Sequence, residues 1–135
     1  MSLIVVDASV WVSRLVPKDD GHDKVKRWMD EQREIGNELV SPSLLLPEAA
    51  GAIARRTSSE LGAEALLILE DLPGLRLVEM DAALISTAGK LAAELGLRGA
   101  DATYVAVAAI LGLPIATLDL DQRDRAARLV EIIPL

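Results

Sequence analysis

Residues 3–9, Leu3-Ile4-Val5-Val6-Asp7-Ala8-Ser9, govern how the rest of the chain is read. A continuous aliphatic run without polar alternation is the pattern of a strand buried on both faces of a parallel sheet. It stops at an acid, and Val10-Trp11-Val12 then resumes with helical spacing toward Leu15. A second unit of the same kind lies near the end, where Ile115-Ala116-Thr117-Leu118 delivers Asp119 at its carboxyl end. Between them, strand patterns at 39–40 and 75–80 alternate with helical patterns at 20–35, 43–56, 58–72, 81–95 and 100–111. Gly36, Pro73-Gly74, Gly96 and Gly112 punctuate these segments. Ser43, Ser58 or Ser59, Asp81 and Asp121 read as helix N-caps, with Asp124 at the third position behind Asp121. A short helix over 121–128 and a last strand over 129–133 complete the pattern. Strands alternating with helices predict a parallel α/β sheet covered on both faces.

Composition narrows the class. The 135 residues suit one domain, and 51% hydrophobic with 26% charged residues is the balance of a soluble globular chain. Cysteine is absent, which excludes disulfides and thiolate metal sites and fits a reducing, cytoplasmic compartment. Trp11, Trp28 and Tyr104 are the only aromatics, which argues against a base-stacking platform. The net charge of −7 argues against a polybasic membrane surface and against broad phosphate neutralisation. It leaves open phosphate chemistry through a bound cation, where acids are what the site needs. MSLIVVD lacks the basic start of a signal peptide, and no apolar run approaches the length of a membrane span, so no membrane partner is expected.

Most acids read as solvated, among them the seven that lie among bases in 19–38. Four do not. Asp7 and Asp119 each end an apolar strand, the place where open α/β sheets bind ligands, although either can also be a turn or cap residue. Glu48 has Leu44, Leu45, Gly51 and Ala52 as its helical neighbours, which sets a carboxylate on or beside an apolar stripe. Asp101 opens an apolar helix, where N-capping is the competing explanation. Four carboxylates converging without a base would repel one another, and a divalent cation relieves this. With no sulfur ligand and the single histidine, His22, in the charged segment, all-oxygen ligation selects Mg2+ or Mn2+ over Zn2+.

These segments resemble the PIN-domain ribonucleases, specifically the VapC-type toxins of prokaryotic toxin–antitoxin pairs, over essentially the whole chain. VVDASV (5–10) is similar to the family's first acidic motif and places its aspartate on Asp7. SPSLLLPEAAGAIAR (41–55) resembles the helix that carries the glutamate, here Glu48. LRGADATYVAVAAILGLP (97–114) and IATLDLD (115–121) resemble the third and fourth segments, with their acids on Asp101 and Asp119. Ser9 and Thr117 fall where the family has small hydroxyl residues supporting the site. The departure is Asp121, where a basic residue is common in the family.

The resemblance implies a three-layer α/β/α PIN-like fold, 1–135 as one PIN domain, with a central parallel sheet of four to five strands. It implies an Mg2+-dependent endoribonuclease, Mn2+ substituting, with Asp7, Asp101 and Asp119 holding the metal and Glu48 ligating directly or through water. Glu48 and Asp101 both remain open as general base. An RNA substrate, a VapB-like antitoxin and a homodimer are the implied partners. Arg14, Arg55, Arg56 and Arg98 are candidate phosphate contacts, with solvated helix ends as the competing explanation. The alternative from another class is a catalytically silent PIN-like module that keeps its acids for structure within a regulatory complex. A receiver-type phosphoacceptor is set aside, because Lys90, the sole lysine after position 26, lies mid-helix.

Overall fold

The computed structural model describes residues 2–135. Leu3–Val6 forms β1, and its side chains alternate between two separate cores. Ile4 and Val6 enter one core and Val5 the other, which is why this run carries no polar residue. Parallel to β1 lie β2 (Glu38–Pro42) on one side and β4 (Ile115–Ala116) on the other, with β3 (Leu75–Val78) outside β2. The sheet order is β3-β2-β1-β4, all parallel.

Helices α1 (Ala8–Leu15), α2 (His22–Ile35), α3 (Leu45–Arg56) and α4 (Ser59–Glu70) share one core through Trp11, Trp28, Leu45, Ile53 and Leu69. Helices α5 (Ala82–Leu95), α6 (Gly99–Leu111) and α7 (Leu120–Ala126) cover the opposite face through Leu84, Leu91, Tyr104, Val105 and Ala126. The result is the expected three-layer α/β/α arrangement with four strands. No helix is long and apolar enough to cross a membrane among the described residues.

Three local expectations are corrected. The strand expected at 129–133 is a turn followed by a single bridge, Ile132 to Ile115, so the chain closes the β4 edge without adding a ladder. Ser43 does not cap α3; Leu44 holds the cap position, without a side-chain bond. Pro47 in the first turn brings no N–H, so a donor that a cap would satisfy is missing. The last helix is capped by Asp119 and not by Asp121, its carboxylate accepting from the Gln122 N–H. Ser58 and Asp81 cap α4 and α5 as expected.

Two glycines test how tightly the layers are set. A Cβ on Gly62 in α4 would lie 2.7 Å from the Ala50 carbonyl oxygen and 3.0 Å from Ala54 Cβ, both on α3. A Cβ on Gly89 in α5 meets nothing within 4 Å. Gly62→Ala should therefore destabilise the fold by about 1–3 kcal/mol. Gly89→Ala should stabilise it by roughly 0.5–1 kcal/mol through helix propensity. Urea denaturation reads both, and equal effects would contradict the close α3–α4 crossing.

Candidate active site

After β1 the chain moves to β2 and β3 on one side, then returns to β4 on the other. This reversal leaves a crevice outside the carboxyl ends of β1 and β4, the place where parallel sheets bind ligands. Asp7 directly follows β1 and Asp119 follows β4. Glu48 stands in the first turn of α3 and Asp101 in the first turn of α6. All four line one pocket of about 170 Å³, together with Ser9, Arg98, Tyr104 and Gln122. The four acids singled out in the sequence are thus brought together.

Asp7 is 3% exposed, and donors surround its carboxylate. Oδ1 accepts from the Ser9 hydroxyl at 2.6 Å and from the backbone N–H groups of Ser9 at 3.1 Å and Val10 at 3.4 Å. Oδ2 accepts from the Thr117 hydroxyl at 2.6 Å. Asp7 is therefore the cap of α1 as well as a pocket acid. Burial pushes its carboxyl up from 3.8 to about 6, against the lowering effect of the bonds from Ser9, Thr117 and Val10, and the Asp101 charge pushes in the same direction as burial. Ser9 and Thr117 also tie down the strand end: Ser9 Oγ accepts from the Leu118 N–H at 3.0 Å, and Thr117 Oγ1 from the Asp119 N–H at 3.0 Å.

Asp119 uses Oδ1 for its cap, accepting from the Gln122 N–H at 3.0 Å. Its Oδ2 accepts from Arg98 Nη2 at 3.2 Å, while Arg98 Nε donates to Asp101 Oδ2 at 3.0 Å. One guanidinium thus spans two of the four acids, and these carboxylates hold the Arg98 side chain above the usual arginine range. Asp101 is not the cap of α6; that position is Arg98, which makes no side-chain cap bond. Glu48 is half-buried, and burial raises its carboxyl while a 2.7 Å bond donated by the Tyr104 hydroxyl to Oε1 lowers it. The phenol, 1% exposed and facing Glu48, is held protonated far above neutrality.

Sequence reasoning missed Gln122, left Tyr104 without a role, and took Arg98 only for a phosphate contact. Gln122 is 1% exposed and donates from Nε2 to the Asp101 carbonyl at 3.4 Å. Its signal was there once Asp119 is the cap, since glutamine three residues on completes a capping-box pattern. Arg55 and Arg56 line a groove of about 570 Å³ that Glu48 and Ser9 share with the acidic pocket. Arg56 is tied to Asp19 at 2.6 Å, and Asp19 is oriented by Ser13 at 2.7 Å. Arg14 lines a different groove, with Trp11, Asp30 and Arg33. Asp121 pairs with Arg125 at 3.0 Å on the exposed side of α7.

The donor set suits a hard divalent cation, because the side chains able to ligate one do so through oxygen, four of them as carboxylates. His22 is elsewhere, its Nδ1 2.9 Å from the Ser13 carbonyl. Among the described residues no three acids stand close enough to form a ready-made ion cluster. Arg98 is the group that separates and neutralises two of them.

The PIN domain family model matches residues 4–128. The chain belongs to the PIN-domain family. No curated protein matches the sequence significantly. Among solved structures, Mycobacterium tuberculosis VapC20, a sarcin-ricin loop cleaving toxin, is similar with a TM-score of 0.81 and 23% identity over 97% of this chain and 99% of that one. Rickettsia felis VapBC2, bound to a promoter DNA fragment, gives 0.72 and 16% over 96% of each chain. Neisseria gonorrhoeae FitAcB gives 0.68 and 22% over 97% of this chain and 96% of that one.

The Asp7 environment makes a prediction for the metal-free protein. Its carboxyl titrates near 6 when folded and near 3.8 otherwise, so the native state binds the extra proton between those values. This contribution to stability is present below about pH 4 and is lost as pH rises through 6, amounting to about 3 kcal/mol. In EDTA at pH 7.5, Asp7→Asn should raise Tm, and the gain should shrink steadily toward pH 4. A variant less stable than the parent at pH 7.5 would contradict this account of the site.

Proposed function

We propose that this chain is a divalent-metal-dependent endoribonuclease, using Mg2+ with Mn2+ as substitute, and the toxin of a VapBC-type pair. One observation carries the reading. Four carboxylates from four separate elements line a single pocket at the switch point of a parallel sheet, with no nitrogen or sulfur ligand beside them. A divalent cation bound by Asp7, Asp101 and Asp119 would supply Lewis acidity, lowering the pKa of an attacking water and offsetting charge that grows on a phosphoryl group.

The chain's own residues do the rest. Ser9 and Thr117 fix the rotation of the Asp7 carboxylate, and the α1 N–H groups oppose its charge. Glu48 stands where the pocket meets the groove. Tyr104 occupies its Oε1, so Oε2 is the oxygen that takes the proton of the attacking water. Asp101, already held by Arg98, is the weaker candidate for that proton. Arg55 in the adjoining groove contacts phosphates of the substrate strand, positioning it without reading sequence.

VapC20, described as cleaving the sarcin-ricin loop, supports RNA as the substrate class, and VapBC2 supports a VapB-like antitoxin as partner. A cytoplasmic homodimer of one PIN domain, 1–135, belongs to the same reading. Apolar surface is exposed on both helical layers, by Ile85, Ile110 and Leu111 on α5 and α6 and by Leu61, Leu67 and Ile68 on α4.

The purified protein should cut RNA in Mg2+ or Mn2+ and stop in EDTA. Asp7→Asn and Asp119→Asn should each lower kcat by on the order of 100-fold or more, with far-UV circular dichroism intact, and Thr117→Val by about tenfold. Cleavage that persists in excess EDTA, or that Asp7→Asn leaves undiminished, would overturn the assignment. So would the absence of both cleavage and a divalent-ion isotherm, the behaviour of a silent binding module. Separately, Arg55→Gln should raise KM at unchanged kcat and reduce the salt slope of RNA binding by about one.

A further inference from the structure

The one base in the acidic pocket lies against the oxygens that a cation needs. Arg98 holds the N-cap position of α6 in extended backbone conformation, φ −63° and ψ 151°, but a guanidinium has no acceptor with which to cap the helix. The guanidinium turns back over the pocket instead. Nε reaches Asp101 Oδ2 at 3.0 Å and Nη2 reaches Asp119 Oδ2 at 3.2 Å, so one planar fork joins acids from α6 and α7.

The oxygen it takes from Asp119 matters most. Asp119 Oδ1 already accepts the Gln122 N–H that starts α7, which leaves Oδ2 as the oxygen facing the pocket. That oxygen is the one Arg98 holds. A cation on Asp119 Oδ2 would share that oxygen with a guanidinium of like charge, and the repulsion is relieved if Arg98 moves away or if the carboxylate leaves the helix it caps. The first route is the cheaper, because the Arg98 side chain is 79% exposed and exposed ion pairs are weak. Removing a backbone cap would cost more, typically about 1 kcal/mol.

We infer that Arg98 is the site's internal counter-ion, competing with the divalent cation for Asp101 and Asp119 and turning outward when the cation binds. The inference rests on the metal-dependent reading above and adds its regulation. It accounts for how four acids share one small pocket, since two of them are paired to the same guanidinium. A guanidinium released from the two carboxylates is free to donate to an incoming phosphodiester.

Titration calorimetry with Mn2+ alone tests this without reference to activity. Arg98→Gln should bind Mn2+ about three- to tenfold more tightly than the parent, the scale of two exposed ion pairs. Arg98→Lys keeps the charge but cannot span both acids, so its affinity should fall between the two. Arg55→Gln removes the same charge from the adjoining groove and should change affinity less than Arg98→Gln does. The advantage of Arg98→Gln should shrink at high salt, where a charge competition is screened. Equal or weaker binding by Arg98→Gln, or a gain no larger than that of Arg55→Gln, overturns the inference while leaving the metal site standing. Mn2+ binding by none of the proteins overturns the metal reading and this inference together.

Discussion

The position of the Asp7 carboxylate constrains the whole molecule. A buried acid at the end of a central strand is costly unless donors surround it, and here they come from three directions. The strand end itself contributes nothing, so the donors must be the first turn of α1, the Ser9 hydroxyl and the Thr117 hydroxyl beyond β4. Satisfying one side chain thus fixes where α1 begins and how far β4 runs before the chain turns away. The β2 side is secured by a second buried chain of bonds, in which Trp11 Nε1 donates to Ser41 Oγ at 3.2 Å and Ser41 donates to the Val6 carbonyl. The last carbonyl before Asp7 and the first helix after it are therefore both anchored.

Repulsion among the acids explains much of what surrounds them. Asp7 and Asp119 cap helices, and Asp101 and Glu48 lie in the first turns of two others, so all four stand at the positive ends of helix dipoles. The two without a capping bond take side-chain donors instead, Glu48 the Tyr104 hydroxyl and Asp101 the Arg98 guanidinium. Arg98 supplies the remaining positive charge. Capping and a functional role are thus not competing explanations for Asp7 and Asp119. The cap is what lets a carboxylate be held at the crevice at all.

That double duty also decides what was legible in the sequence. The uninterrupted apolar run of β1 and the acids ending two strands were enough to give a parallel sheet and to bring Asp7 and Asp119 to one crevice. Glu48 was legible because its helical neighbours are apolar, and Asp101 because it opens the most apolar helix. The errors came where two residues competed for one local role. Asp121 and Asp119 can each start α7, and strand-end geometry chose Asp119, which a one-dimensional pattern does not encode. The strand expected at 129–133 has the apolar content, but β4 is only two residues long and offers a single bridge. Arg98 and Asp101 are at i,i+3 spacing, but Arg98 reaches Asp119 and Tyr104 reaches Glu48 over separations of 21 and 56 residues, and no local spacing rule reaches that far.

A net charge of −7 looks ill-suited to the polyanion proposed as substrate, but a total says little about where the charges lie. Four negative charges are confined to one small pocket, while Arg55 and Arg56 border the groove it opens into. The two regions meet at Glu48 and Ser9, so opposite potentials stand within a few side chains of each other. Fields of exposed charges fade within about 10 Å at ordinary ionic strength, so a phosphate chain responds to the nearest groups and hardly to the sum. Arg56 is largely spent on Asp19, which shapes the groove wall, and Arg55 is left to face an incoming anion. Acidity overall and attraction locally are compatible under the proposed reading, because the acids are gathered at the point where a bound cation would offset their charge.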